Sequence, residues 1–256
     1  MALFTDGPIS LEQDFQEYDS QVLTVASAEG IDVAVKATLA QQDLGNQLML
    51  FFLRRASFRE YQPNFTPPTG LCDVVVTEGL QRWHVLATLA LVYRDAYYSQ
   101  LNDRYQGKWN EYEQLARASL RTYFQIGVGV VTDPIPIAPA PLLSAIAGTG
   151  GAETFYVVAT WVSAAGAEGA PSQVATQNTA TGQILSVTLV GTPPPIVVGW
   201  NVYVGLSPVA LTRQNDSPLA LGSSWTMTEA LTAGVPVTTG QMPAWFIVDH
   251  RFINRG

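Results

Sequence analysis

From residue 9 to about residue 126, apolar residues recur at spacings of three and four, the period of an α-helix that buries one face. Leu11, Phe15, Tyr18, Val22, Leu23 and Val25 mark a first helix, with Ser10 as its N-cap, Gln13 as capping-box partner and Gly30 as its end. A second helix is predicted over 31–58, with Val35, Leu39, Leu44, Leu48, Phe51 and Phe52 on its buried stripe and Gly45 as a point of kinking. Pro63, Pro67, Pro68 and Gly70 then make 61–75 a loop or extended arm, because proline inside a helix removes a backbone donor and clashes with the preceding turn. Periodicity resumes over 77–101 (Leu80, Trp83, Leu86, Leu91, Tyr97, Leu101) and 106–126 (Trp109, Tyr112, Leu115, Leu120, Tyr123, Phe124). Four such helices predict a bundle, and the short connection makes the last two antiparallel.

Past residue 133 the period changes to that of strands. Runs at 154–162, 184–189, 199–204 and 223–228 are rich in β-branched and aromatic residues and are bounded by Gly, Pro, Ser or Asn. The stretch Asp133-Pro-Ile-Pro-Ile-Ala-Pro-Ala-Pro141 reads as a stiff spacer, and Gly148-Thr-Gly-Gly151 as a flexible one. The fold class is therefore a multidomain α+β chain. An α-helical bundle at 1–132 is followed by a Pro/Gly-rich linker at 133–149, an immunoglobulin/fibronectin-like all-β sandwich at 150–240 and a tail at 241–256.

Charge sharpens this division. Of 34 charged residues (13 Lys+Arg and 21 Asp+Glu), 26 lie in 1–133 and 8 in 134–256, so the sandwich is far less charged than an ordinary free-standing module. A domain of that kind suits packing among neighbours. Glu12, Asp14, Glu17 and Asp19 are read as the solvated face of the first helix, where its dipole favours acids. The net charge of −8 argues against sequence-specific nucleic-acid binding, since only Arg54, Arg55 and Arg59 cluster. One cysteine, Cys72, allows neither an internal disulfide nor a cysteine metal site, and the start Met1-Ala-Leu-Phe-Thr-Asp-Gly-Pro8 has no signal-peptide pattern. No apolar run is long enough for a membrane span, and synthesis in a reducing cytoplasm is expected.

Catalytic, cofactor and metal chemistry is not expected. His84, beside Trp83 on a helix, reads as a hydrogen-bonded interfacial histidine, and His250 follows Asp249 without a nucleophile motif. Gly127-Val-Gly129 and Gly148–Gly151 lack the strand–turn–helix setting of a phosphate loop, and Glu111 and Glu113 point apart on a helix. Trp161, Trp200 and Trp225 are candidates for sugar stacking or, more simply, for strand cores. The helical half carries Trp83, Tyr93, Tyr97, Tyr98, Tyr105, Trp109, Tyr112 and Tyr123, an aromatic load read as subunit-pairing surface. The tail packs Trp245, Phe246, Ile247, Val248, Phe252 and Ile253 closely, with Arg251 and Arg255 as a basic end. Its candidate partner-docking residues are Trp245, Phe246, Ile247, Arg251, Phe252, Ile253 and Arg255, aimed at a partly apolar, acid-lined groove on a neighbouring subunit or another partner, the other reading being that the tail completes the protein's own helical core or sandwich.

Two stretches carry a resemblance. Tyr156-Val-Val-Ala-Thr-Trp-Val-Ser-Ala-Ala-Gly-Ala-Glu-Gly-Ala-Pro-Ser172, with Gly199-Trp-Asn-Val-Tyr-Val-Gly-Leu-Ser-Pro208, resembles fibronectin type III-like domains in rearranged order, similar to accessory modules of tailed-phage virion proteins. Leu80-Gln-Arg-Trp-His-Val-Leu-Ala-Thr-Leu-Ala-Leu-Val-Tyr-Arg-Asp-Ala-Tyr97 with Trp109-Asn-Glu-Tyr-Glu-Gln-Leu115 resembles the packed helices of head-tail adaptor (connector) proteins of tailed phages. The resemblance implies a virion structural protein made in the host cytoplasm. It implies a homo-oligomeric ring, usually a dodecamer, between the portal protein and a downstream tail or nozzle protein, with no membrane partner. The other reading is a carbohydrate-binding or host-adhesion virion protein whose sandwich recognises glycans.

Overall fold

The computed structural model describes residues 1–56, 70–100, 103–228 and 230–248, and has the two-part α+β architecture expected, helices first and antiparallel sheets after. The chain forms two compact units. One joins 7–132 with the tail from 243, and the other joins 1–6 with 133–242.

In the helical unit the first expected helix is two: α1 (Glu12–Tyr18) and α2 (Val22–Glu29). The break falls at Asp19, which is turned inward and only 6% exposed rather than solvated. Its carboxylate accepts the Gln21 amide at 3.0 Å and the Tyr93 hydroxyl at 2.7 Å, an exchange that the helix ladder cannot match. Nor is Ser10 the cap: Leu11 holds that position and its amide donates to Asp14, in the first turn, at 2.7 Å, while the Ser10 hydroxyl lies 2.9 Å from His84 Nδ1. Gly30 ends α2 as expected, in the left-handed region at φ 66°, where a side chain is strained.

α3 (Val33–Ala56) begins where Asp32 accepts the Ala34 and Val35 amides at 2.9 and 3.1 Å, and it runs through Gly45 as one helix. Its buried stripe is Val33, Ala37, Ala40, Leu44, Leu48, Phe51 and Phe52. Val35 and Leu39, expected on that stripe, face outward instead. Residues 57–69, most of the proline-rich arm, lie outside the described residues, as does Arg59. Leu71–Asp73 make one 3-10 turn before α4 (Glu78–Gln100), which packs along α5 (Gln106–Ile126) and against α3. α4 is the centre of the unit: Leu80, Trp83, Val85, Leu86, Leu89, Val92, Tyr93 and Ala96 are all buried.

A short strand, β1 (Val128–Val130), follows Gly127, and pairs antiparallel with β10 (Trp245–Ile247) from the tail. Gly129 makes this possible, since a Cβ there would stand 2.9 Å from Pro243.

The other unit is a sandwich of two antiparallel sheets. β2 (Leu142–Ala147), β5 (Gln183–Thr188) and β9 (Ser224–Thr226) form one sheet in the order β2-β5-β9. The second runs β4-β3-β6-β7, from β3 (Thr154–Ser163), β4 (Ala175–Asn178), β6 (Val197–Gly205) and β7 (Thr212–Arg213), with β8 (Leu219–Ala220) also on β6. Alternate residues Phe155, Val157, Ala159 and Trp161 of β3 and Trp200, Val202 and Val204 of β6 meet Leu185 and Val187 of β5 in the core.

The expected linker at 133–149 is part of this unit. Ile135 and Ala138 are buried in its core, Leu142–Ala147 is a sheet strand, and the Ile135 amide is bound by Gln241 at 2.7 Å. Prolines there stiffen an extended segment without preventing it from packing. The first six residues join it as well: Leu3 and Phe4 are buried, and Asp6 accepts the Leu3 and Ile137 amides at 2.7 and 2.9 Å.

Candidate functional site

Three polar clusters lie in the interior of the two units, and ionisable groups removed from water are where shifted acids and bases arise. At the first, His84 is fully buried, with Nε2 2.9 Å from the Ala37 carbonyl, so this nitrogen donates and Nδ1 accepts from Ser10. Both ring nitrogens are thus engaged. Burial lowers the imidazole pKa, and neither the ring nor Ser10 reaches solvent. The cluster joins α3 to α4 and is a tie.

At the second, Asp19 Oδ2 accepts hydroxyls from Tyr93 (2.7 Å) and Tyr112 (3.0 Å) and an ion pair from Lys108. Burial raises the carboxyl pKa, but the hydrogen bonds from Lys108, Tyr93, Gln21 and Tyr112 outweigh it and hold the group below its usual range. The third cluster lies in the sandwich. Glu168 accepts Thr160 Oγ1 at 2.8 Å, Asn201 Nδ2 at 2.6 Å and the Tyr203 hydroxyl at 2.7 Å, across β3 and β6. Asn215 extends it by donating to Asn201 Oδ1 at 2.8 Å and accepting the Val202 amide at 2.9 Å. Each group in these clusters has its partners, and each cluster binds one segment of its own unit to another.

The three tryptophans of the sandwich are inward. Trp161 and Trp200 are buried across from one another in register between β3 and β6, and Trp225 is packed against the same core. They do not form an exposed stacking face. The Pro-Ser of the fibronectin-like stretch has a definite task, since Ser172 Oγ accepts the Ala159 amide at 3.0 Å while its own amide donates to the Ala159 carbonyl at 2.9 Å.

Most of the helical aromatics also point inward. Trp83, Tyr93, Tyr105, Tyr112 and Tyr123 are buried within the unit, Tyr93 stacks on Tyr112 with centroids 5.5 Å apart, and Tyr97 stacks on Trp109 at 5.7 Å. Of the residues read as a pairing surface, Tyr98 alone is mostly exposed, so the aromatic load fills the bundle.

What the helical unit does expose is a ridge on α3. Val35, Leu39, Met49, Leu50 and Leu53 are 51%, 42%, 38%, 53% and 62% exposed, and Gln42 and Asn46 lie between them. The spacing 35, 39, 42, 46, 49, 53 alternates four and three, which keeps those side chains on one face opposite Leu44 and Leu48, with Leu50 at the edge of that face toward Asp43. No ionisable side chain belongs to that series. Beside it, α3, α4 and α5 enclose an open groove of about 300 Å³ floored by Ala87, Ala90 and Leu91 and walled by Leu44, Trp109 and Leu120.

The tail residues divide. Trp245 and Phe246 of β10 are 39% and 49% exposed, while Ile247 is buried and paired with Val128. Tail and β1 are thus joined rather than separate, and Ile247 belongs to the unit's own core. Arg251, Phe252, Ile253 and Arg255 lie outside the described residues, as do Asp249 and His250. Among the described residues no group of His, Cys, Asp and Glu could hold a metal ion, and no helix is long and apolar enough to cross a membrane.

No family model, curated protein or solved structure matches this chain. Sequence alone does not separate the α3 ridge from the core stripe, because the residues of both share the same apolar alphabet. An excess of apolar positions on both faces of residues 33–53 is the signal that was available.

Proposed function

We propose that this is a virion structural protein, a head-tail adaptor that assembles as a homo-oligomeric ring between a portal and the next tail component. The observation that carries this reading is the exposed apolar ridge on α3. Five aliphatic side chains exposed along one helix face are costly in water and are recovered by burial against another chain. The sandwich supports the same reading by its composition, with few charges and with Val190, Val198, Leu206 and Val209 exposed on its surface. The adaptor identity itself rests on the resemblance of the Leu80–Tyr97 and Trp109–Leu115 helices. Trp245 and Phe246, exposed on β10, are the part of the tail offered for docking, and a dodecamer is the ring number that the resemblance favours.

Negative-stain microscopy of the purified protein, alone and mixed with a tailed-phage portal ring, tests this. Closed rings with a central hole, free or seated on the portal, are the expected result. Single particles of about one chain under both conditions would overturn it.

A further inference from the structure

Two features of the helical unit are complementary, and both are open in the isolated chain. One is the α3 ridge of Leu39, Met49, Leu50 and Leu53, and the other is the groove over α4 between α3 and α5. We propose that the ridge of one copy seats in the groove of the next, so that copies join head to tail through a single repeated contact. This inference rests on the homo-oligomer reading above and names the contact it uses.

Shape comes first. The groove floor is made by Ala87 and Ala90, and such small side chains let a second helix approach closely. Trp109 and Leu120, which also line it, add partly exposed apolar surface. The ridge from Leu39 to Leu53 is about 21 Å of helix and the groove from Trp83 to Arg94 about 16 Å, so most of the ridge can lie along it.

Electrostatics selects the occupant. The groove is rimmed by Asp43, Arg94, Glu113 and Arg117, with Arg117 2.5 Å from Glu113, so the rim has equal numbers of acids and bases. A strongly charged partner helix would leave half of these groups opposed. A neutral ridge does not, and the amides of Gln42 and Asn46 at its middle both donate and accept, so they match either sign of rim charge. This chain itself carries such a ridge. The ridge and the groove are different surfaces, so the contact is heterologous and repeats from copy to copy, closing into a ring or running on as a filament.

The test uses the full chain and two kinds of variant, followed by sedimentation velocity over a concentration series. Leu39→Glu with Leu50→Glu spoils the ridge, and Ala87→Trp spoils the groove, with Gln47→Trp, at the exposed groove rim, as a second groove variant should Ala87→Trp lose its helical circular dichroism. Wild-type protein is expected to associate beyond the 27.7 kDa monomer, and the ridge variant to weaken this at least about a hundredfold. Each variant alone is expected to stay monomeric. An equimolar mixture is expected to form dimers and stop, because one intact ridge and one intact groove remain.

A monomeric wild type at the highest concentration overturns the contact, while the ring reading on a portal would still stand. Mixtures that fail to pair would show that the ridge meets another ridge or a different protein, and would also overturn it. Open-ended wild-type filaments with the complementation intact would keep the contact and overturn the closed ring.

Discussion

The Asp19 carboxylate accepts the Tyr93 hydroxyl at 2.7 Å, joining the break between α1 and α2 to the middle of α4 across 74 residues of sequence. Tyr112 and Lys108 of α5 converge on the same oxygen, so one acid holds three helical segments. Asp19→Ala leaves two hydroxyls without their acceptor and is expected to cost about 3 kcal/mol, read by urea denaturation followed at the helical circular-dichroism band. Because hydrogen bonding holds the folded carboxyl below its unfolded value, its contribution is complete above about pH 4 and is lost as pH falls through the folded pKa. Asp19→Asn should therefore show a shallower loss of stability on acidification than wild type.

His84 gives the opposite end of the acid range. Its folded pKa lies below that of an unfolded histidine, near 6.5, because burial disfavours the imidazolium. The unfolded chain then binds the extra proton, so stability is complete above about pH 6.5 and declines as pH drops toward the folded value. Melting temperatures measured from pH 7.5 to 5 should fall for wild type. In His84→Gln the baseline is expected to be lower but the slope across that window flatter, and an equal slope would remove His84 as its cause.

Glu168 is the corresponding knot of the sandwich. Glu168→Ala strips the acceptor from Thr160, Asn201 and Tyr203 beneath β3 and β6, and a loss of about 3 kcal/mol is expected from the unfolding of that unit, followed by tryptophan fluorescence. Glu168→Gln keeps one acceptor oxygen and should cost less than half as much. Equal losses would mean that the charge, not the hydrogen bonds, matters.

The tail supplies a prediction in which one deletion and two point changes differ. Removing 244–256 takes away β10, the partner of Val128–Val130, together with buried Ile247, and should lower the melting of the helical unit by several degrees. Trp245→Ala and Phe246→Ala remove partly exposed side chains and should leave melting within about 2 °C, and under the proposed adaptor role they should weaken incorporation into particles.

The longer helices and strands are legible from period alone, and the reason is local. A helix or strand repeats its environment every 3.6 or 2 residues, so the apolar positions of 78–100, 106–126, 154–163 and 197–205 announce their elements without reference to anything distant. Gly30 as a terminator is equally local. The period does not say which of two apolar stripes is the core one. On α3 the choice between Val33, Ala37, Leu44 on one side and Val35, Leu39, Met49 on the other was made by α4, whose central position buries whatever faces it.

Tertiary structure also decided what no window of sequence contains. Asp19 and Glu168 look like solvated acids until residues 74 and 35 positions away bring hydroxyls to them. The proline-rich stretch at 133–141 looks like a spacer, yet Ile135 and Ala138 lie in the sandwich core, because an extended chain needs only an apolar surface alongside it to pack. Leu142–Ala147 has little burial of its own and becomes a strand through hydrogen bonds to β5, a partner some forty residues on. Trp245–Ile247 pairs with β1 more than a hundred residues earlier. Local pattern determined the longer elements of this protein, while long-range pairing determined the short strands and which apolar residues were left on its surface.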